Sequence, residues 1–171
     1  RLVMKRVVRV GVADSGINPA HRHVGLVADG VGINFVDGEL LIDDDWYDQI
    51  GHGTAAAATI CGHAPKAELY AIRIFRRRLE TPVETLLYAI DWAIEHKLDI
   101  LNLSLGCTDN SCRSDFVTVC NRALTAGLSI VSAYEVFGKA SFPGSLPGVI
   151  AVTSDSHLAQ DEINVVEGVI K

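Results

Sequence analysis

Val7–Gly16 reads VVRVGVADSG. Val7–Ala13 is rich in β-branched residues, which favour a pleated, buried surface, and it ends abruptly at Asp14-Ser15-Gly16. A short apolar run closed by turn-forming residues is a strand followed by a tight turn. Arg9 apart, the run is apolar, so the strand reads as buried, as strands of a parallel sheet are.

The downstream segments extend that pattern. Gly51–Ile60, GHGTAAAATI, begins with glycines and continues into alanines, so a helix is expected from about Thr54, ending at His63-Ala64-Pro65. Glu68–Phe75 alternates apolar and polar residues and reads as a strand. Thr81-Pro82-Val83-Glu84 has the form of a capped helix start, and Val83, Leu86, Leu87, Ile90, Ala93 and Ile94 recur at helical spacing behind it. Leu98–Leu105 is a further strand, and Asp115–Ala126 a helix stopped by Gly127. Leu128–Ala133, Val149–Thr153 and Ile163–Ile170 are three more strand candidates. Strands alternating with helices give an α/β, doubly wound, mostly parallel sheet with helices on both faces. Working groups in such sheets lie beyond the carboxyl ends of the strands. That rule marks Asp14 and the end of the strand at Ser104-Leu105-Gly106.

Bulk properties narrow the function. The 171 residues fit one domain, residues 1–171, and 49% apolar with 21% charged residues is a globular composition. A net charge of -6 argues against a nucleic-acid partner, which needs a basic face. The basic cluster Arg76-Arg77-Arg78 reads as a solvated loop. No run of 18 apolar residues is present, so no helical membrane span is expected. The basic-then-apolar start, Arg1–Val12, lacks a small-residue cleavage site and is not read as a signal peptide; a cytoplasmic location is the expectation. Of the four cysteines, Cys107 and Cys112 are close enough in sequence for a small disulfide and equally suited to remain thiols; Cys61 reads as a small buried apolar residue. Gly11 to Gly16 lacks the Lys-Ser/Thr of a phosphate loop.

The chemistry concentrates on two residues. Asp14 stands where the first strand meets its turn, and His52 stands between Gly51 and Gly53 at a helix start. A carboxylate fixed at a strand end can hold one imidazole nitrogen protonated and leave the other free to act as a base. An isolated Asp-Ser-Gly is most often only a turn; its combination with Gly-His-Gly-Thr, in this order, is far more specific. Separated by more than ~6 Å, the two would imply instead a generic doubly wound domain with an unrelated ligand.

The segments VGVADSGINPAH and GHGTAAAATI resemble the Asp and His segments of the subtilisin-like serine proteases. GHAPKAELYAIRIF, AIDWAIEHKLDILNLSLG and SFPGSLPGVIAVTS are similar to later segments of that family, so the resemblance runs from about Val10 to Ser154. It implies that Asp14 orients the histidine, that His52 is general base and then acid, and that Ser104, Leu105 and Gly106 pair with an extended peptide or protein substrate. It also identifies two departures. The family's serine lies in a Gly-Thr-Ser-Met-Ala-like segment after the last strand, and none of the ten serines here has that context. Loss of the nucleophile removes activity on the order of 10⁶-fold in subtilisin itself, so the chain is expected to be incomplete at its C-terminus and inactive as given, with the serine supplied by a further segment or a second chain. The family's oxyanion-stabilising Asn falls on Glu135 or Val136, neither of which donates a hydrogen bond in its usual state. The alternative expectation is a non-catalytic module that holds peptides in the groove. Exposed apolar surface is expected near Val165 and Val169, and with it marginal solubility. The family often binds calcium, but Asp43-Asp44-Asp45 lacks calcium-loop spacing and reads as an acidic surface loop; no metal set and no cofactor is expected.

Overall fold

The structure is a computed structural model that describes residues 6–159 and 162–171. The basic start of the chain, residues 1–5, therefore lies outside the described residues. The first strand, β1 (Arg9–Asp14), is followed by β2 (Val27–Val36) and β3 (Glu39–Asp43), then by helix α1 (His52–His63) and β4 (Glu68–Arg73). Helix α2 (Val83–Glu95), β5 (Ile100–Leu103), α3 (Arg113–Ala126) and β6 (Ser129–Ala133) continue the alternation. A short hairpin, β7 (Glu135–Val136) and β8 (Lys139–Ala140), precedes β9 (Ile150–Val152), β10 (Val165–Val166) and β11 (Val169–Ile170). Among the described residues one sheet runs β10-β11-β9-β6-β5-β1-β4-β2-β3. Its interior pairs are parallel, and only the edge strands β3 and β10 run antiparallel.

The strand period divides the core in two. Val10, Val12, Leu69 and Ala71 pack on one face with Ala57 and Cys61 of α1. Ala13, Tyr70, Ile72, Leu101 and Leu103 pack on the other with Leu86 and Ile90 of α2 and Phe116 and Val119 of α3. Successive side chains point to opposite faces, so the apolar stretch Val10–Ala13 of β1 feeds both cores at once. The fold is thus the doubly wound α/β sheet expected from the sequence, with β1 near its centre and Asp14 at its carboxyl edge.

Local differences have local causes. Residues 17–50, in which no element was expected, contain the β2–β3 hairpin, turned by Asp37-Gly38 with φ of 52° and 83°. That pair of left-handed residues is the two-residue turn that matches strand twist, and Asp-Gly is its usual sequence. Asp43 is accordingly the last residue of β3 rather than part of a loop. Ile163–Ile170 is not one strand but a hairpin of β10 and β11 around Glu167-Gly168. Helix α1 begins at His52, two residues before the expected start. Thr81 does not cap α2: Pro82 occupies the cap position in an extended conformation, with no side-chain cap bond. Helix α3 ends as expected on left-handed Gly127, with φ 81°. Cys107 and Cys112 are free thiols, and Cys61 is buried. Val165 is 61% exposed, whereas Val169 is half-buried. Among the described residues no helix is long and apolar enough to cross a membrane.

Candidate active site

Two elements meet at the carboxyl edge of the sheet. Strand β1 ends at Asp14, whose side chain is fully buried. Helix α1 starts over the same edge with His52 as its first residue. Both carboxylate oxygens of Asp14 lie 2.8 Å from Nδ1 of His52. Oδ1 also accepts the amide of Ser15 at 2.7 Å. A carboxylate can only accept, so Nδ1 carries the proton and Nε2 presents its lone pair. The His52 side chain is 43% exposed while Asp14 is 0% exposed. The pair therefore has a dry orienting end and a solvent-facing basic end. Hydrogen-bond contact at this distance also removes the generic-domain reading, which required a wide separation.

The approach depends on Gly53. A Cβ there would come within 3.0 Å of the Gly16 carbonyl oxygen and 3.1 Å from Asp14 Cβ. Only a glycine lets the first turn of α1 sit on the Asp14–Gly16 turn. Gly51 supplies the preceding bend, with φ 97°.

A second carboxylate, which the sequence reading did not single out, fastens this junction. Asp48 is 6% exposed. Its Oδ1 accepts the Ser15 hydroxyl at 2.9 Å and the amides of Ile50 and Gly51 at 2.8 Å each. Its Oδ2 accepts the Thr54 amide at 2.9 Å and the Thr54 hydroxyl at 2.5 Å. Ser15 Oγ in turn accepts the Gly53 amide at 2.9 Å. Asp48 thus ties the residue after Asp14 to residues on both sides of His52 and satisfies the exposed amides of the helix start, which is why α1 begins early. Burial pushes the Asp48 carboxyl up, but the bonds from Thr54, Gly51 and Ile50 outweigh it and hold the pKa below its ordinary value. The available signal was an Asp just ahead of a glycine-flanked helix start, a capping pattern.

The expected substrate residues lie one strand away. Ser104 follows β5, is exposed, and accepts a bond from Asn102 Nδ2 at 2.9 Å. The Leu105 carbonyl accepts the Ser132 hydroxyl at 3.2 Å, and Gly106 packs against Ser141 where a side chain would not fit. A cleft of about 580 Å³ opens beside Ser104 between the ends of β5, β6 and β9. Glu135 lines it, with Oε1 accepting the Thr153 hydroxyl at 3.2 Å. Val136 instead faces Lys139 across the β7–β8 hairpin. Phe137, at the hairpin tip and also on the cleft, is fully exposed.

Two carboxylates of the acidic run, Asp43 and Asp45, are paired with arginines. Arg73 Nη1 lies 2.7 Å from Asp45, and the Arg73 hydrogen bond holds the Asp45 carboxyl below its usual range. Arg76 pairs with Asp43. Arg76 is thus half of an ion pair at the sheet edge rather than a solvated cation. Among the described residues no group of three or more His, Cys, Asp or Glu side chains is disposed to hold a metal.

Comparison with known proteins identifies the family. A model of the Subtilase family matches residues 5–160. The chain is 33% identical over 159 residues to a thermostable alkaline protease of Halalkalibacterium halodurans, covering 85% of this chain and 41% of that protein. It is 29% identical over 160 residues to subtilisin E of Bacillus subtilis, covering 85% and 40% respectively. It is 28% identical over 166 residues to the minor extracellular protease Epr of Bacillus subtilis, covering 90% and 24%. The chain spans about two-fifths or less of the length of these relatives. With the family match over most of its length, and a carboxylate–imidazole pair at the sheet edge, the chain belongs to the subtilase family.

Proposed function

We propose that this chain supplies the Asp and His of a subtilisin-like serine endopeptidase acting on extended peptide or protein substrates. The observation that carries the reading is the buried Asp14 carboxylate on Nδ1 of a half-exposed His52. In this reading Nε2 takes the proton of a serine hydroxyl as it attacks the scissile carbonyl. Asp14 stabilises the imidazolium that forms, and Nε2 then protonates the leaving amine. The backbone of Ser104-Leu105-Gly106 pairs with the substrate strand. Among the described residues no side chain hydrogen-bonds Nε2. The reading therefore takes the nucleophile from a further segment or a second chain, and these 171 residues alone as inactive.

A second reading, a non-catalytic peptide holder, is favoured by Glu135 and Val136, which stand where an amide donor is expected. A carboxylate there would repel an oxyanion instead of stabilising it. Fluorophosphonate labelling and a peptide-hydrolysis assay, both run on the chain together with the segment or second chain that supplies the serine, separate the two. The protease reading expects a labelled serine and turnover that falls about 10⁴-fold in Asp14→Asn, which holds the wrong tautomer. Peptide binding without labelling or turnover selects the holder; hydrolysis undiminished in His52→Ala overturns the protease reading.

A further inference from the structure

We propose that the cleft beside Ser104 selects peptides carrying a cationic side chain, arginine or lysine, with Glu135 as the counter-charge. The inference rests on the groove assignment above and names the substrate class that groove takes. The cleft is bordered by Leu103, Ser104, Ser132, Ala133, Thr153 and the β7–β8 hairpin, and among the described lining residues Glu135 is the one ionisable group. Its carboxylate is steadied by the Thr153 hydroxyl at 3.2 Å and is in no ion pair among the described residues. Lys139, the nearest cation along the hairpin, pairs by backbone register with Val136 and does not line the cleft. Lys171 shares a smaller neighbouring cleft with Glu135 and Thr153 but forms no ion pair with Glu135, and an unpaired carboxylate in a concave site attracts a positive side chain and repels a negative one.

Phe137 adds an independent reason. It sits at the hairpin tip with φ 51°, a conformation that strains a bulky residue, and it is fully exposed on the rim of the same cleft. Within the described chain nothing covers its ring. A flexible alkyl stem with a cationic end, passing over an aromatic face toward a carboxylate, uses both groups together.

The test is equilibrium binding of fluorescein-labelled extended hexapeptides, identical except for one central Arg, Leu or Glu, to the whole purified protein. The Arg peptide is expected to bind about tenfold tighter than the Glu peptide at low salt, with the difference shrinking as salt rises. Glu135→Gln is expected to bring the two within about twofold, and Glu135→Lys to reverse their order. Glu135 is exposed, so both variants are expected to fold; matching circular dichroism spectra check this. Equal binding of Arg and Glu peptides, or a preference unaltered in Glu135→Lys, overturns the cationic selection and leaves the groove assignment standing. Binding of none of the peptides overturns the groove assignment itself, and this inference with it.

Discussion

Helix α1 contains two glycines whose replacement by alanine has opposite expected signs. In an exposed helix interior, Gly→Ala stabilises by about 1 kcal/mol, because alanine loses less backbone entropy on folding. At Gly62 a Cβ would meet nothing within 4 Å, so Gly62→Ala should show that gain, reduced toward about 0.5 kcal/mol by its place in the last turn. At Gly53 the same Cβ falls under 3.0 Å from the Gly16 carbonyl oxygen, 3.1 Å from Asp14 Cβ and 3.2 Å from Gly16 N. These are backbone atoms, or atoms next to backbone, in a buried junction, and they cannot swing aside as the end of a long side chain would. Overpacking of this kind costs about 1–3 kcal/mol, beyond what helix propensity returns. Gly53→Ala should therefore be about 1–2 kcal/mol less stable than the parent, and Gly62→Ala more stable. Urea midpoints at constant m-value give both numbers from one experiment. The damage at Gly53 should also be directional: relief of the clash lifts His52 off Asp14, so peptide hydrolysis, measured with the serine-supplying segment or chain present, should fall more than the unfolded fraction explains. Equal stabilisation by the two substitutions would refute the claim that close approach at Gly53 sets the Asp14–His52 geometry.

Asp48→Asn should destabilise by about 2–4 kcal/mol near pH 6, because an amide nitrogen in place of one oxygen turns a donor toward two other donors. The pKa of Asp48 is lower folded than its ordinary 3.8, so its contribution is fully present above that value and is lost as pH falls through the lower folded value. Urea midpoints taken from pH 6 down to pH 3 should accordingly fall more steeply for the parent than for the variant; parallel curves would remove Asp48 from the junction. Thiol titration should give two classes. Cys107 and Cys112, half-buried, should react with Ellman's reagent before Cys61 and Cys120, which are buried. Burial pushes the Cys120 thiol up to about 11, so little thiolate forms at neutral pH. Four thiols reacting at one rate would contradict that burial.

The major elements were legible because each carries its own period. Val10 and Val12 alternate with Gly11 and Ala13, and Leu86, Ile90 and Ala93 repeat at helical spacing; burial acts on these patterns directly. The β2–β3 hairpin was missed because Ala28, Asp29 and Gly30 dilute its apolar signal, although Asp37-Gly38 marked the turn. The capping pattern at Thr81 misled because Pro82, whose fixed φ suits either state, takes an extended ψ of 151° and is itself the cap, so the helix starts one residue later. Glu135 was read only as a defect in oxyanion stabilisation, since nothing in the order of residues shows that Ser104 and Thr153 share a cleft with it.

The sequence by itself determined the sheet, its two-sided core and the identity of Asp14 and His52, since alternation, helix spacing and the residues flanking these two are local properties of the chain. The tertiary structure alone decided that Asp14 and His52 touch, that Asp48 and Gly53 make that contact fit, and that Asp43 and Asp45 are neutralised by arginines. Those facts depend on strands far apart in sequence being hydrogen-bonded neighbours, and distances of a few ångströms between such strands are set by packing of the whole sheet, which no local pattern encodes.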